Sequence, residues 1–130
     1  MQVTKTRGEV EVFESLDGRF VYYAKQFVLG IWRVPKEGGV ETQVLDRVEC
    51  CHWALTREGI YFFDISNPAG PTLQLLRFAT GRTELLRQFS KGTMIDRNNE
   101  AISVSPDGAW IIYTQVDQDF SDLMLVENFR

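Results

Sequence analysis

Histidine occurs once in this 130-residue chain, at His52, directly after the only two cysteines, Cys50 and Cys51. A single histidine excludes a His-dependent catalytic triad or a multi-histidine metal site within one chain. The Cys-Cys-His run invites a zinc reading, but neighbours on an extended strand point to opposite faces. At most Cys50 and His52 would then converge on one ion. A plain inner strand accounts for the three residues better, and no metal or other cofactor is expected. A disulfide between adjacent cysteines would be a strained ring that closes almost no loop. Two free thiols are expected instead, which favours a reducing, cytoplasmic location.

The carboxylates offer two further candidates. Asp117, Asp119 and Asp122 alternate as in a calcium loop, yet the glycine and distal glutamate of an EF-hand are missing, so a solvated hairpin turn is expected. Glu9, Glu11 and Glu14 alternate imperfectly with Val10, Val12 and Phe13. General acid/base catalysis needs a carboxylate pair with divergent pKa values, which this spacing does not define, so they read as solvated or channel-lining charges. Neither a Gly-x-Ser-x-Gly elbow nor a phosphate-binding glycine loop is present. The chain is expected not to be an enzyme.

The elements that must position these residues follow from an internal repeat. Ser15-Leu16-Asp17-Gly18, followed by Arg19-Phe20-Val21-Tyr22-Tyr23, returns as Ser105-Pro106-Asp107-Gly108 followed by Ala109-Trp110-Ile111-Ile112-Tyr113. A fainter copy is Thr56-Arg57-Glu58-Gly59 followed by Ile60-Tyr61-Phe62-Phe63. Each copy predicts a tight turn, in which the acidic residue and the glycine tolerate positive φ, leading into an aromatic and aliphatic strand. Strands precede the turns at 10–14, 52–55 and 102–105. Third strands are expected at 31–34, 73–78 and 123–126, and fourth strands at 41–45 and 82–86. The repeating unit is a four-strand meander of about 40 residues, the length of a β-propeller blade. Trp32, Trp53 and Trp110 recur near equivalent regions and are expected to fill the space between packed sheets.

The fold class is thus all-β: three four-stranded antiparallel propeller blades at about 8–46, 47–88 and 100–130, forming one domain over 1–130. The third copy stops after its third strand. Gln2 precedes Gly18 by 16 residues, as Gln43, in a fourth strand, precedes Gly59. Residues 2–6 therefore read as a fourth strand available for exchange. A propeller ring ordinarily needs at least about four blades, so two chains are expected to pair as a six-bladed homodimer, each completing the other's last blade.

These motifs resemble the TolB-like, or WD-repeat-like, bacterial β-propeller family, whose repeats carry Ser-Pro-Asp-Gly before a strand and then a strand like Asp122-Leu123-Met124-Leu125-Val126. Ser105 to Gly108 matches that signature outright, Ser15 to Gly18 differs by Leu16, and the middle copy keeps little beyond Glu58-Gly59. The resemblance covers nearly the whole chain and looks like the C-terminal blades of larger propeller proteins. In many of those a winged-helix DNA-binding domain precedes the propeller; nothing here matches it, so DNA binding is not implied. What the resemblance implies is a sensory or protein-interaction module.

Composition bounds the partners. With 14 Lys and Arg against 18 Asp and Glu, a net charge of −4 and no basic cluster, neither a nucleic-acid surface nor a membrane surface is expected. The connection at 88–99 is about eight residues longer than its counterpart between the first two blades and lies on the ring face that also carries the connections at 26–29, 66–71 and 117–121. Loops gathered over a channel are the usual place for propeller ligands. Lys91, Met94, Asp96, Arg97 and Asn98 are the candidate binding residues for a protein or small molecule. Two functions stand: a non-catalytic binding scaffold, and a propeller hydrolase or lyase whose channel acids assemble on dimerisation.

Overall fold

A computed structural model describes residues 9–96, 101–117 and 120–127, which form three four-stranded antiparallel sheets. The first comprises β1 (Glu9–Glu14), β2 (Phe20–Lys25), β3 (Val28–Pro35) and β4 (Thr42–Leu45) in that spatial order. The middle sheet repeats the meander with β5 (Trp53–Leu55), β6 (Gly59–Asp64), β7 (Thr72–Arg77) and β8 (Arg82–Gln88). The third contains β9 (Met94–Ile95), β10 (Ile102–Val104), β11 (Trp110–Asp117) and β12 (Phe120–Glu127). Residues 2–6, assigned to strand exchange by their spacing, lie outside the described residues.

The third sheet reaches its strand count by another route. Strand β11 pairs with β12 along one edge from Trp110 to Asp117. On its other edge it pairs with β10 at Ile111 to Tyr113 and with β9 at Gln115 and Val116. Strand β9 thus extends the inner lane, and among the described residues no strand fills the outer lane that β4 and β8 fill in the other two sheets.

The repeated turns are built alike at the two ends of the chain. Ser15 Oγ donates to Asp17 Oδ1 at 2.6 Å, and the same oxygen accepts from the Arg19 amide at 3.0 Å. The Phe20 amide donates back to Ser15 Oγ at 3.1 Å. Ser105, Asp107, Ala109 and Trp110 reproduce this network at 2.7, 2.9 and 3.1 Å. Gly18 and Gly108 take the positive φ, 72° and 69°, that the turn requires.

The middle copy departs from that expectation. Gly59 is the first residue of β6 and is not among the positive-φ glycines. It is required for space: a Cβ there would stand 1.9 Å from the Leu76 carbonyl oxygen. Thr56 closes this shorter turn by donating through Oγ1 to the Gly59 carbonyl at 2.9 Å.

Alternation along the central strands sends side chains into two inter-sheet cores. Tyr22, Ala24 and Ile31 of the first sheet meet Trp53, Ile60, Phe62 and Leu76 of the middle one. Tyr61, Phe63, Leu73 and Leu75, on the other face of the middle sheet, meet Ile102, Ile111, Tyr113 and Val126 of the third. The tryptophans are not equivalent. Trp53 is buried between the first two sheets, Trp32 lies under Lys25 on the far face of the first, and Trp110 is 39% exposed on the third. They occupy β5, β3 and β11, so their recurrence in sequence does not reflect one position in the repeat.

Two outcomes follow. Gly59→Ala should destabilise the chain by about 3 kcal/mol, as an overpacked site with no room to relax does, measured by urea unfolding. Hydrogen bonds hold the carboxyls of Asp17 and Asp107 below the ordinary carboxylate range, led by Ser15 for Asp17 and by the Ala109 amide for Asp107. A depressed folded pKa contributes stability that is present above the unfolded value and lost as pH falls through the folded one. Ser15→Ala should therefore raise the Asp17 pKa in a carbon-detected titration while leaving Asp107 unmoved.

Candidate functional site

The three innermost strands converge on a cavity of about 400 Å³ whose walls include Phe13, Trp53, Leu55, Ile102, Val104 and Ile112. Glu14 and Thr114 are among its polar groups. Two of the carboxylates expected to line the channel, Glu14 and Glu11, are engaged. Glu14 pairs with Lys36 at 2.7 Å. Glu11 Oε1 accepts from the Cys51 amide at 2.6 Å and from the indole Nε1–H of Trp53 at 2.9 Å.

A β-bulge aims Glu11 at these donors. Strand β1 pairs Val10 with Ala24 and Phe13 with Tyr22, so Glu11 and Val12 together oppose Tyr23, and Glu11 takes a φ of 51°. Trp53 begins β5 and Cys51 lies on the connection leading into it, where His52 N bonds to Glu49 O at 3.2 Å and closes a turn with Cys50 and Cys51 at its centre. Cys51 has a φ of 76°. This stretch is a turn rather than the expected inner strand, so strict alternation does not apply. The residues that gather are Glu11, Cys50 and Cys51, with a ligand atom of each within 4.8 Å of the others. His52 turns away: it is fully buried and donates through Nε2 to the Asp96 carbonyl at 2.8 Å, with Nδ1 unpartnered among the described residues.

The start of the long connection, at Gln88 and Phe89, lies against the β6–β7 loop. Gln88 Nε2 donates to the carbonyls of Gly70 and Phe89 at 3.0 and 2.9 Å, and the Phe89 amide to Pro71 O at 2.9 Å. Between the two loops is a pocket of about 250 Å³ with Asn67, Pro68, Pro71, Lys91, Thr93 and Met94 in its wall. Of the five candidate binding residues, Lys91 and Met94 line this pocket and are exposed. Asp96 is buried at 4% exposure, outside that wall, where its backbone bonds to Thr114 and His52. Arg97 and Asn98 lie outside the described residues. In the acidic segment at 117–122, Asp117 of β11 stands opposite Phe120 of β12, and residues 118 and 119 lie outside the described residues.

Sequence reasoning did not single out a groove of about 410 Å³ with Arg19, Arg33 and Arg57 beside Asp17, Phe20 and Tyr22. Arg33 stacks over the Phe20 ring at 4.3 Å. The arginines come from the turn before β2, the middle of β3 and the turn between β5 and β6, and no local motif gathers them.

No protein-family model matches the chain, and no curated protein matches it by sequence. Among solved structures it is similar to TolB from Acinetobacter baumannii, with a TM-score of 0.56 and 18% identity over 89% of this chain. The chain spans 27% of the length of that protein. The likeness is one of fold, and it places the three sheets in the TolB-like β-propeller architecture.

The Glu11 hydrogen bonds yield a test. Glu11→Ala leaves the indole N–H of a Trp53 side chain that is 1% exposed without this acceptor, a loss of about 1–3 kcal/mol. Glu11→Gln retains an acceptor oxygen and should cost less, as measured by denaturant unfolding followed through tryptophan fluorescence.

Proposed function

We propose that this chain is a non-catalytic β-propeller scaffold that binds a protein or small-molecule ligand and assembles as a homodimer. Residues 2–6 of each chain complete the outer lane of the third sheet in the other, closing a six-bladed ring in the cytoplasm. The observation that carries this reading is the outer edge of β12, beside which the described residues place no strand, although β4 and β8 hold that lane in the other sheets. Unpaired edges and uncovered apolar faces favour association. The third sheet has such a face in Trp110, Ile112 and Leu125, with Trp110 and Leu125 39% and 54% exposed. The far face of the first sheet is different: Val21, Tyr23, Trp32 and Val34 are buried within the single chain.

The ligand face is the one where Lys91 and Met94 meet the β6–β7 loop. A scaffold role is favoured over a hydrolase or lyase by what the channel acids do: Glu11 accepts two N–H donors and Glu14 is ion-paired. Burial raises the pKa of the Tyr61 and Tyr113 phenols, which removes them as bases near neutral pH.

Sedimentation equilibrium at micromolar concentration should give twice the 15.0 kDa chain mass. Deleting residues 1–7, or introducing Leu125→Asp, should return the monomer. A wild-type chain that sediments as a monomer would overturn the assembly.

A further inference from the structure

Glu11, on the bulge of β1, and Cys51, in the β4–β5 connection, are both strained, and they touch. Positive φ in a non-glycine residue is found at Glu11, Phe27 and Cys51 among the described residues. Phe27 sits in the β2–β3 hairpin, where that conformation is ordinary. Glu11 and Cys51 instead come from different sheet regions and are joined by the hydrogen bond from the Cys51 amide to Glu11 Oε1. Cys51 occupies the third position of the Glu49–His52 turn, and a turn with positive φ there ordinarily carries glycine. A cysteine at that position bears a backbone cost that glycine would avoid. Backbone strain of this kind collects where a side chain has a task.

The effect of the strain is to bring the two thiols round to the same side as the carboxylate. Ligand atoms of Glu11, Cys50 and Cys51 lie within 4.8 Å of one another, and all three residues are half-buried. A tetrahedral ion with sulfur at about 2.3 Å and oxygen at about 2.1 Å holds its ligand atoms about 3.6–3.8 Å apart, inside that limit. Two thiolates and a carboxylate suit zinc, and thiolates discriminate against magnesium and calcium.

We propose that Glu11, Cys50 and Cys51 form a binding site for a thiophilic divalent cation, zinc above all, with one coordination position left open. Both cysteines bind as thiolates and release their protons to solvent, so the loaded site carries one net negative charge. The Cys51 and Trp53 N–H groups on Oε1 fix the plane of the carboxylate, the role that outer hydrogen bonds play around metal ligands. A purely structural Glu11 would account for those two hydrogen bonds. It would not account for a cysteine in the glycine position of the turn.

The test uses the reduced full-length chain titrated with cobalt(II), then zinc(II). One cobalt per chain should bind with a thiolate-to-cobalt charge-transfer absorption in the near ultraviolet, and zinc should displace it. Cys51→Gly keeps the turn, so its thermal midpoint in metal-free buffer should equal or exceed that of the parent, while the absorption disappears. Cys50→Ser should also abolish the absorption. Glu11→Gln preserves an acceptor for Trp53 and should weaken zinc by roughly tenfold or more, measured by competition with a chromophoric chelator. The proposal is overturned if the parent chain shows no charge-transfer band, if Cys51→Gly binds zinc as tightly as the parent, or if one cobalt is shared by two chains.

Discussion

The short segment between β4 and β5 is where the three sheets are tied to one another. Packing between sheets is apolar and non-directional, so it leaves their relative slide free. Directional bonds remove that freedom. Glu11 of the first sheet receives the Cys51 amide and the Trp53 indole. Towards the third sheet, Cys51 O accepts from Ala101 N at 2.8 Å and His52 bonds to Asp96. The Gly30 amide adds a bond to Val48 O at 2.8 Å. Residues 48–53 therefore fix the inner strands that line the channel, and the channel inherits its shape from them.

Much of the fold was legible because the sheets are meanders. Asp17-Gly18 and Asp107-Gly108 mark turns by a mechanism that acts within six residues, and the aromatic runs after them could only be strands. The same reasoning failed at Gly59, where the glycine answers to the neighbouring strand's carbonyl rather than to its own φ. It also missed β9. Met94 and Ile95 have no alternation of their own to read, and their pairing partners lie 22 and 20 residues further on, in β11.

The site was less legible. On an extended strand the adjacent side chains of Cys50 and Cys51 would diverge; the Glu49–His52 turn rotates one peptide and brings them together. Glu11 joins them from 40 residues away. One local signal was present, a glutamate in a β1 strand too irregular to alternate cleanly, and that irregularity is the bulge. The loop at 88–99 was identified by its excess length, and length alone did not reveal that Asp96 is spent on the backbone of the interior.

The arrangement of cores has a kinetic meaning. The middle sheet supplies one wall to each of the two inter-sheet cores, through Ile60, Phe62 and Leu76 on one face and Tyr61, Phe63, Leu73 and Leu75 on the other. Each outer sheet shares only one of those two cores. Opening an outer sheet breaks one core, whereas opening the middle one breaks both. Among the described residues, the amides of β6 and β7 should therefore exchange most slowly with solvent, the outer sheets opening as separate cooperative units while the middle sheet persists.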